Sequence, residues 1–314
     1  MSSKNNNQQD NKKKELKSKI GGQALIEGIM MLGVYKGAMA CRLPDGTIDV
    51  ETWEENNGKN APFYKKMPFV RGSFNFVGSM IKGYKYLMKS ADKQIPEEEK
   101  QEQTKAESAL VDLFMVIGTV LGVAIALGIF MFLPKILIGL IEPVKEMRVL
   151  RSFLEGIVKI ILFVAYMALT GLMKDIRRTY EYHGAEHKTI ACHEARLPLT
   201  VENVRKQTRF HKRCGTSFIF IVLIVSILVM CLIPFTVTWQ RIVAGLVLLP
   251  VVVGISYEFI RLAGNHDNAF TKILSAPGLA LQRITTREPD DKQIEVAIAA
   301  LTPCIPENLE EDVW

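Results

Sequence analysis

Apolar and charged positions are segregated along this chain rather than mixed. No charged residue lies between Asp112 and Lys135, and none between Arg213 and Arg241. A helix needs roughly 20 apolar residues to cross the hydrocarbon core of a bilayer. Backbone groups in lipid must bond within their own segment, so both runs predict membrane-spanning helices. Two further spans are expected despite their charges. Residues 152–173 hold Glu155 and Lys159, an i, i+4 pair in the favourable order, expected near one end of the span where its charges snorkel outward. Residues 242–262 hold Glu258 and Arg261, again near one end. The pattern predicts a mainly α membrane protein of about four transmembrane helices, within 109–173 and 215–262.

The polar parts predict less regular structure. Residues 1–19 are basic, lack an apolar stretch and read as a disordered tail. Residues 37–43 and 47–53 flank Pro44-Asp45-Gly46, and Asp-Gly between extended runs signals a hairpin. Alternation puts Ile48, Val50 and Thr52 on one face of its second strand. Between 68 and 91, Phe69, Val70, Phe74, Val77, Ile81, Tyr84 and Met88 recur at helical spacing, with Lys82, Lys85 and Lys89 interleaved. This predicts a basic amphipathic helix, either lying on a membrane surface or packed against the hairpin. Residues 20–91 thus form a small cytoplasmic β-rich unit with one helix. Its Gly21-Gly22 pair predicts close backbone approach, and Glu27 a contact at the sheet edge. Residues 92–108 read as a charged linker, and Gly118 with Gly122 permits close helix packing. Residues 174–214 form a His-rich loop or helix limited by Pro198. Residues 263–314 form a tail with a helix-like stretch at 291–303 and solvated acidic residues at its end.

Charge adds orientation. Lys and Arg crowd the stretch 174–213, which includes Lys174, Arg177, Arg178, Lys188, Arg205 and Arg213, whereas Arg241 stands alone between the third and fourth spans. The positive-inside rule puts that loop and both termini in the cytoplasm. The net charge of +6 then reflects topology and attraction to the bilayer and its anionic lipids. No nucleic-acid recognition motif accompanies it. The five cysteines include no CxxC pair, and Cys41, Cys192, Cys214 and Cys304 fall on the cytoplasmic side, so a disulfide framework is not expected. Cys214, at the start of the third span, reads as a buried thiol.

All five histidines lie from His183 onward. The string His183-Gly184-Ala185-Glu186-His187 places two imidazoles one helical turn apart. At about 100° per residue, His187 and Glu194 fall within roughly 40° of His183. Imidazoles so spaced can share Zn²⁺ or another divalent transition metal, with Glu186 as the base. Glu194, His211, Glu258 and His266 are the candidates to complete the ligand set, because a four-helix bundle would gather those span ends. Gly184 inside the helix costs about 1 kcal/mol against Ala.

At these residues a resemblance appears. GGQALIEGIMM (21–31), YHGAEHKTIACHE (182–194), HKRCGTSF (211–218) and TTREPDD (285–291) resemble the YqhQ family of bacterial membrane proteins, over roughly 20–303. That resemblance implies a multi-pass protein of the bacterial cell membrane and a metal-dependent enzyme. It also implies that His183, Glu186, His187 and Glu194 matter, with His211, Arg213 and Cys214 beside them. The leading expectation is a cytoplasmic-facing metal-dependent hydrolase. The rival is a scaffold or accessory subunit whose basic loops grip lipid or a partner membrane complex. A transporter would want broken spans and charges near the midplane, whereas the charges here are expected near span ends.

Overall fold

A computed structural model of the chain describes residues 16–57, 62–96, 105–266 and 268–313. Four strands, β1 (Gly21–Leu25), β2 (Gly28–Leu32), β3 (Lys36–Arg42) and β4 (Ile48–Glu54), form an antiparallel meander in sequence order. The expected hairpin is β3–β4, with Arg42 opposite Ile48 and Gly46 at φ 89° in the turn. β1 and β2 escape the pattern-based reading for a physical reason. Ile29 and Met31 of β2 enter one core cluster and Met30 another. A strand buried on both faces shows no apolar–polar alternation.

α1 (Val70–Lys93) lies against this sheet. Lys89 Nζ donates to Glu51 Oε1 at 2.7 Å, Lys82 pairs with Glu55, and Lys93 with Asp49. Tyr86 stacks on Trp53 with ring centroids 4.1 Å apart. Packing on the β unit therefore accounts for the basic side of α1, while Phe74, Val77 and Ile81 on its apolar side stay exposed. In β4 it is Trp53, not Val50, that packs inward.

The remaining helices follow two designs. α2 (Lys105–Leu127) runs through a π-helical turn at Gly128–Phe132 into α3 (Leu133–Gly139). Then come α4 (Arg148–Thr170), α5 (Lys174–Glu194), α6 (Gly215–Leu232), α7 (Thr238–Val247), α8 (Leu249–Asn265), α9 (Ala269–Thr285) and α10 (Asp291–Leu301). Three stretches, Leu113–Gly139, Arg148–Thr170 and Gly215–Leu232, are long and apolar enough to cross a membrane. α7 and α8, bent by 53°, make a fourth if taken as one broken span.

These apolar helices are inside out relative to a water-soluble fold. Phe114, Val120, Ile161 and Leu228 face outward, while Arg151 and Arg241 are 0% exposed. Glu155 neither snorkels nor pairs with Lys159. Its Oε1 accepts from Arg151 Nε at 2.9 Å and its Oε2 from Arg241 Nη2 at 3.0 Å. Lys159 lies midway along α4 rather than near its end. Glu258 pairs with Arg71, whose Nε donates at 2.8 Å, and not with Arg261. Gly118 and Gly122 meet nothing within 4 Å, so their close-packing face has no partner among the described residues.

The ends of the described chain are tied together. Residues 1–15 of the expected tail lie outside the described residues, but 16–19 are ordered. Leu16 N donates to the Glu194 carbonyl at 2.9 Å, and Ser18 bridges to Val313. Asp312 is 0% exposed, so the final acidic residues are not all solvated. The linker expected at 92–108 begins inside α1 and ends inside α2; residues 97–104 lie outside the described residues. The segment read as a tail carries α9, capped by Asn268, and α10, capped by Asp290 with Gln293 in a capping box. Val296, Ala297, Ala300 and Leu301 of α10 share a core with β2, β3 and α5.

Candidate metal centre

α5 continues the chain beyond α4 as a separate helix, and it presents the His183–His187 string to the return segment 208–214. His183, His187 and Cys214 each offer a ligand atom, and the three atoms lie within 4.8 Å of one another. His183 Nε2 is 3.2 Å from Cys214 Sγ. The other ring nitrogens are occupied. His183 Nδ1 donates to the Thr285 carbonyl at 2.9 Å and His187 Nδ1 to the Arg209 carbonyl at 2.6 Å. A carbonyl only accepts, so both Nδ1 atoms carry a proton and both Nε2 atoms can turn a lone pair on the cluster.

The return segment is held firmly. Gln282 of α9 accepts from His211 N at 2.9 Å and donates to the His211 carbonyl at 2.7 Å. Cys214 is thereby fixed as the residue preceding α6, where the helix N-terminus favours negative charge on sulfur. Burial works against the Cys214 thiolate, but the facing imidazoles outweigh it and hold the thiol well below its ordinary range. Burial equally disfavours a charged His183, yet the Cys214 sulfur overcomes this and raises it to about 9. A metal would displace the proton lying between His183 Nε2 and Cys214 Sγ, the exchange expected of a ligand set.

Glu186 stands behind the cluster. Its Oε1 accepts from Gly22 N of β1 at 3.1 Å, and its Oε2 is buried with no hydrogen-bond partner among the described residues. Burial raises its pKa, with His183 and His187 opposing. Gly22 permits this approach, because a Cβ there would sit 2.7 Å from the Met30 carbonyl and 3.0 Å from Glu186 Cδ. Glu27, in the β1–β2 turn, reaches α5 rather than the sheet edge, accepting from Arg178 Nη2 at 2.7 Å and Tyr182 Oη at 3.1 Å.

The other sequence-derived candidates have other partners. Glu194 accepts from Ser18 N at 2.8 Å, from Arg213, and from His211 Nε2 at 3.3 Å. Burial opposes its charge, but these donors, His211 first, hold its pKa below the usual value. His211 packs its ring 5.7 Å from that of His187 and turns its Nε2 to Glu194, with burial lowering its pKa. Glu258 is committed to Arg71, and His266 is exposed, its Nδ1 bonded to the Leu262 carbonyl at 3.3 Å. Cys214 is buried, as its place before the third span predicts, and it also stands in the cluster. Its only signal was its place in the HKRCGTSF string; no spacing links it to His183.

Gly184 also acquires a role. A Cβ there would stand 1.9 Å from the Arg287 carbonyl oxygen, a backbone atom. The segment after α9 must press on α5 at this point for Thr285 to hold His183. Gly184→Ala is expected to cost roughly 3 kcal/mol through overpacking, far more than its helix propensity returns. Thermal unfolding of the variant beside wild type checks this, and an unchanged or raised midpoint would refute the close approach.

Comparison with known proteins places this geometry in a lineage. The model of a family described as "Protein of unknown function (DUF1385)" matches residues 67–307. A protein of Bacillus subtilis (strain 168) described as "Uncharacterized protein YqhQ" is 37% identical over 285 residues, spanning 88% of this chain and 89% of the relative. No solved structure matches the chain. With its family match running through His183, His187 and Cys214 and its relative aligned along nearly all of both lengths, this chain belongs to the DUF1385 family, the family of YqhQ.

Proposed function

We propose that this chain is a multi-pass protein of the bacterial cell membrane that holds a divalent transition metal, with zinc the best fit, on His183, His187 and Cys214 at the cytoplasmic end of its bundle, for hydrolytic chemistry. The carrying observation is the convergence of those ligand atoms within 4.8 Å, with each imidazole's far nitrogen already tied to a carbonyl. Two nitrogens and one sulfur suit zinc, and three protein ligands leave a tetrahedral ion one position for water or substrate. Glu186 Oε2 supports the reading further, since an orphaned carboxylate oxygen behind such a cluster suits a proton acceptor.

Membrane residence is supported by the length and apolarity of three helical stretches and by the outward-facing apolar residues along them, such as Phe114, Val120, Ile161 and Leu228. The cytoplasmic assignment rests on the Lys and Arg density of 174–213. When bound, the metal would supply Lewis acidity, polarising a carbonyl or phosphoryl oxygen and easing proton loss from water. The protein's own share is to aim both Nε2 atoms and the Cys214 sulfur, to exclude solvent, and to receive the proton at Glu186 Oε2.

The 3.2 Å contact of His183 with Cys214 favours a second reading, a cysteine nucleophile activated by its imidazole. Elemental mass spectrometry on detergent-purified wild type, His187→Ala and Cys214→Ser separates the two. Near-stoichiometric metal in wild type and loss in both variants is expected. Absence of metal from wild type after add-back sinks the metal centre, and rapid alkylation of Cys214 in that protein would point to the nucleophile. Glu186→Gln is expected to keep the metal and lose hydrolytic turnover.

A further inference from the structure

A second polar constellation lies away from the metal cluster, near the junction of α3, α4 and the far end of α6. Its centre is the buried Arg151–Glu155–Arg241 group. Both carboxylate oxygens of Glu155 are taken by the arginines. The arginines are otherwise satisfied by the protein: Arg151 by the Thr236 carbonyl at 2.5 Å and Thr238 Oγ1 at 2.9 Å, Arg241 by the Phe235 carbonyl at 3.1 Å and Ser152 Oγ at 2.8 Å.

Two more cations face the same space. Lys135 and Lys159 line a small cleft together with Ser152, Glu155 and Ser226. Lys135 is 4% exposed, and the partner its Nζ finds is the Met131 carbonyl at 3.2 Å. Neither lysine has a carboxylate within ion-pair distance among the described residues. One carboxylate, already divided between two arginines, thus faces four cations inside an apolar bundle. Buried charge without a counter-charge costs several kcal/mol, and an ionisable side chain within a membrane segment marks a functional site by default.

We propose that this cleft binds a phosphate-class anion, with Lys135 and Lys159 as its counter-charges and Ser226 beside them. Two ammonium groups and a hydroxyl offer several donors from different directions, which suits an anion with several acceptor oxygens better than a single-atom halide. Such an anion reaches the end of a membrane bundle either as a lipid headgroup or as free phosphate.

The test uses the full chain, delipidated in neutral detergent. It is titrated with low-millimolar sodium phosphate against sodium chloride of equal ionic strength, and separately with phosphatidylglycerol against phosphatidylcholine in mixed micelles. The readouts are the unfolding midpoint and native mass spectrometry. A saturable rise in midpoint is expected, with apparent affinity weakened at least about tenfold in Lys135→Met and in Lys159→Met. Stabilisation by inorganic phosphate alone identifies a free anion as sufficient; stabilisation by phosphatidylglycerol only identifies the headgroup. If neither probe stabilises wild type beyond its control, or the variants respond as wild type does, the proposal is overturned. The wild-type arm decides even where a variant fails to fold.

Discussion

Glu155→Gln is expected to be among the most damaging single substitutions in this chain, costing roughly 3–5 kcal/mol. Arg151 and Arg241 are both 0% exposed, and Glu155 is the carboxylate they share. Glutamine keeps the volume and one acceptor oxygen but leaves two guanidinium charges buried without compensation. Removing one partner of a buried ion group is far worse than replacing the whole group with apolar side chains of similar size. The variant combining Glu155→Leu, Arg151→Met and Arg241→Met is therefore expected to be more stable than Glu155→Gln alone. Unfolding of both in the same detergent tests this, and a single variant as stable as wild type would show that the arginines do not depend on Glu155.

Asp312→Ala is expected to cost a similar roughly 3–5 kcal/mol. The Asp312 carboxylate accepts from Ser18 Oγ at 2.7 Å, Lys19 N at 3.0 Å and His193 Nε2 at 2.8 Å. Alanine strands those donors in a site where both Ser18 and Asp312 are 0% exposed. Release of 16–20 would also withdraw Ser18 N from Glu194, and with it part of the support for the His211–Arg213 segment that ends in Cys214. Limited trypsin digestion should show new cleavage at Lys17 or Lys19 in the variant. Equal protection in variant and wild type would mean that this clasp does not hold the segment.

The parts of the fold legible in the sequence are those with strong local signals. The uncharged runs marked α2 and α6, Asp45-Gly46 marked the β3–β4 hairpin, and the His183–His187 spacing marked one side of the cluster. What stayed hidden depends on distant parts of the chain. β2 gave no alternation because helices cover one face and α1 the other. Glu155 looked like half of a local pair with Lys159, yet it serves arginines on two helices. α9 was unreadable partly because Pro277 sits inside it. Cys214 is buried as expected, but its place beside His183 was not legible, because a lone cysteine carries no spacing and the contact forms only once Gln282 has fixed the return segment against α5.

The clasp between Ser18 and Asp312 joins residues 294 positions apart, and this sets a schedule for biosynthesis. At roughly 5–20 residues per second, residue 312 leaves the ribosome about 15–60 s after residue 18. Through that interval the core that Ile29 and Met31 share with α5 lacks Val296, Ala297, Ala300 and Leu301 of α10. A sheet core left incomplete for so long is open to aggregation. A premature stop between α6 and α10 would release a chain whose sheet core lacks its last helix.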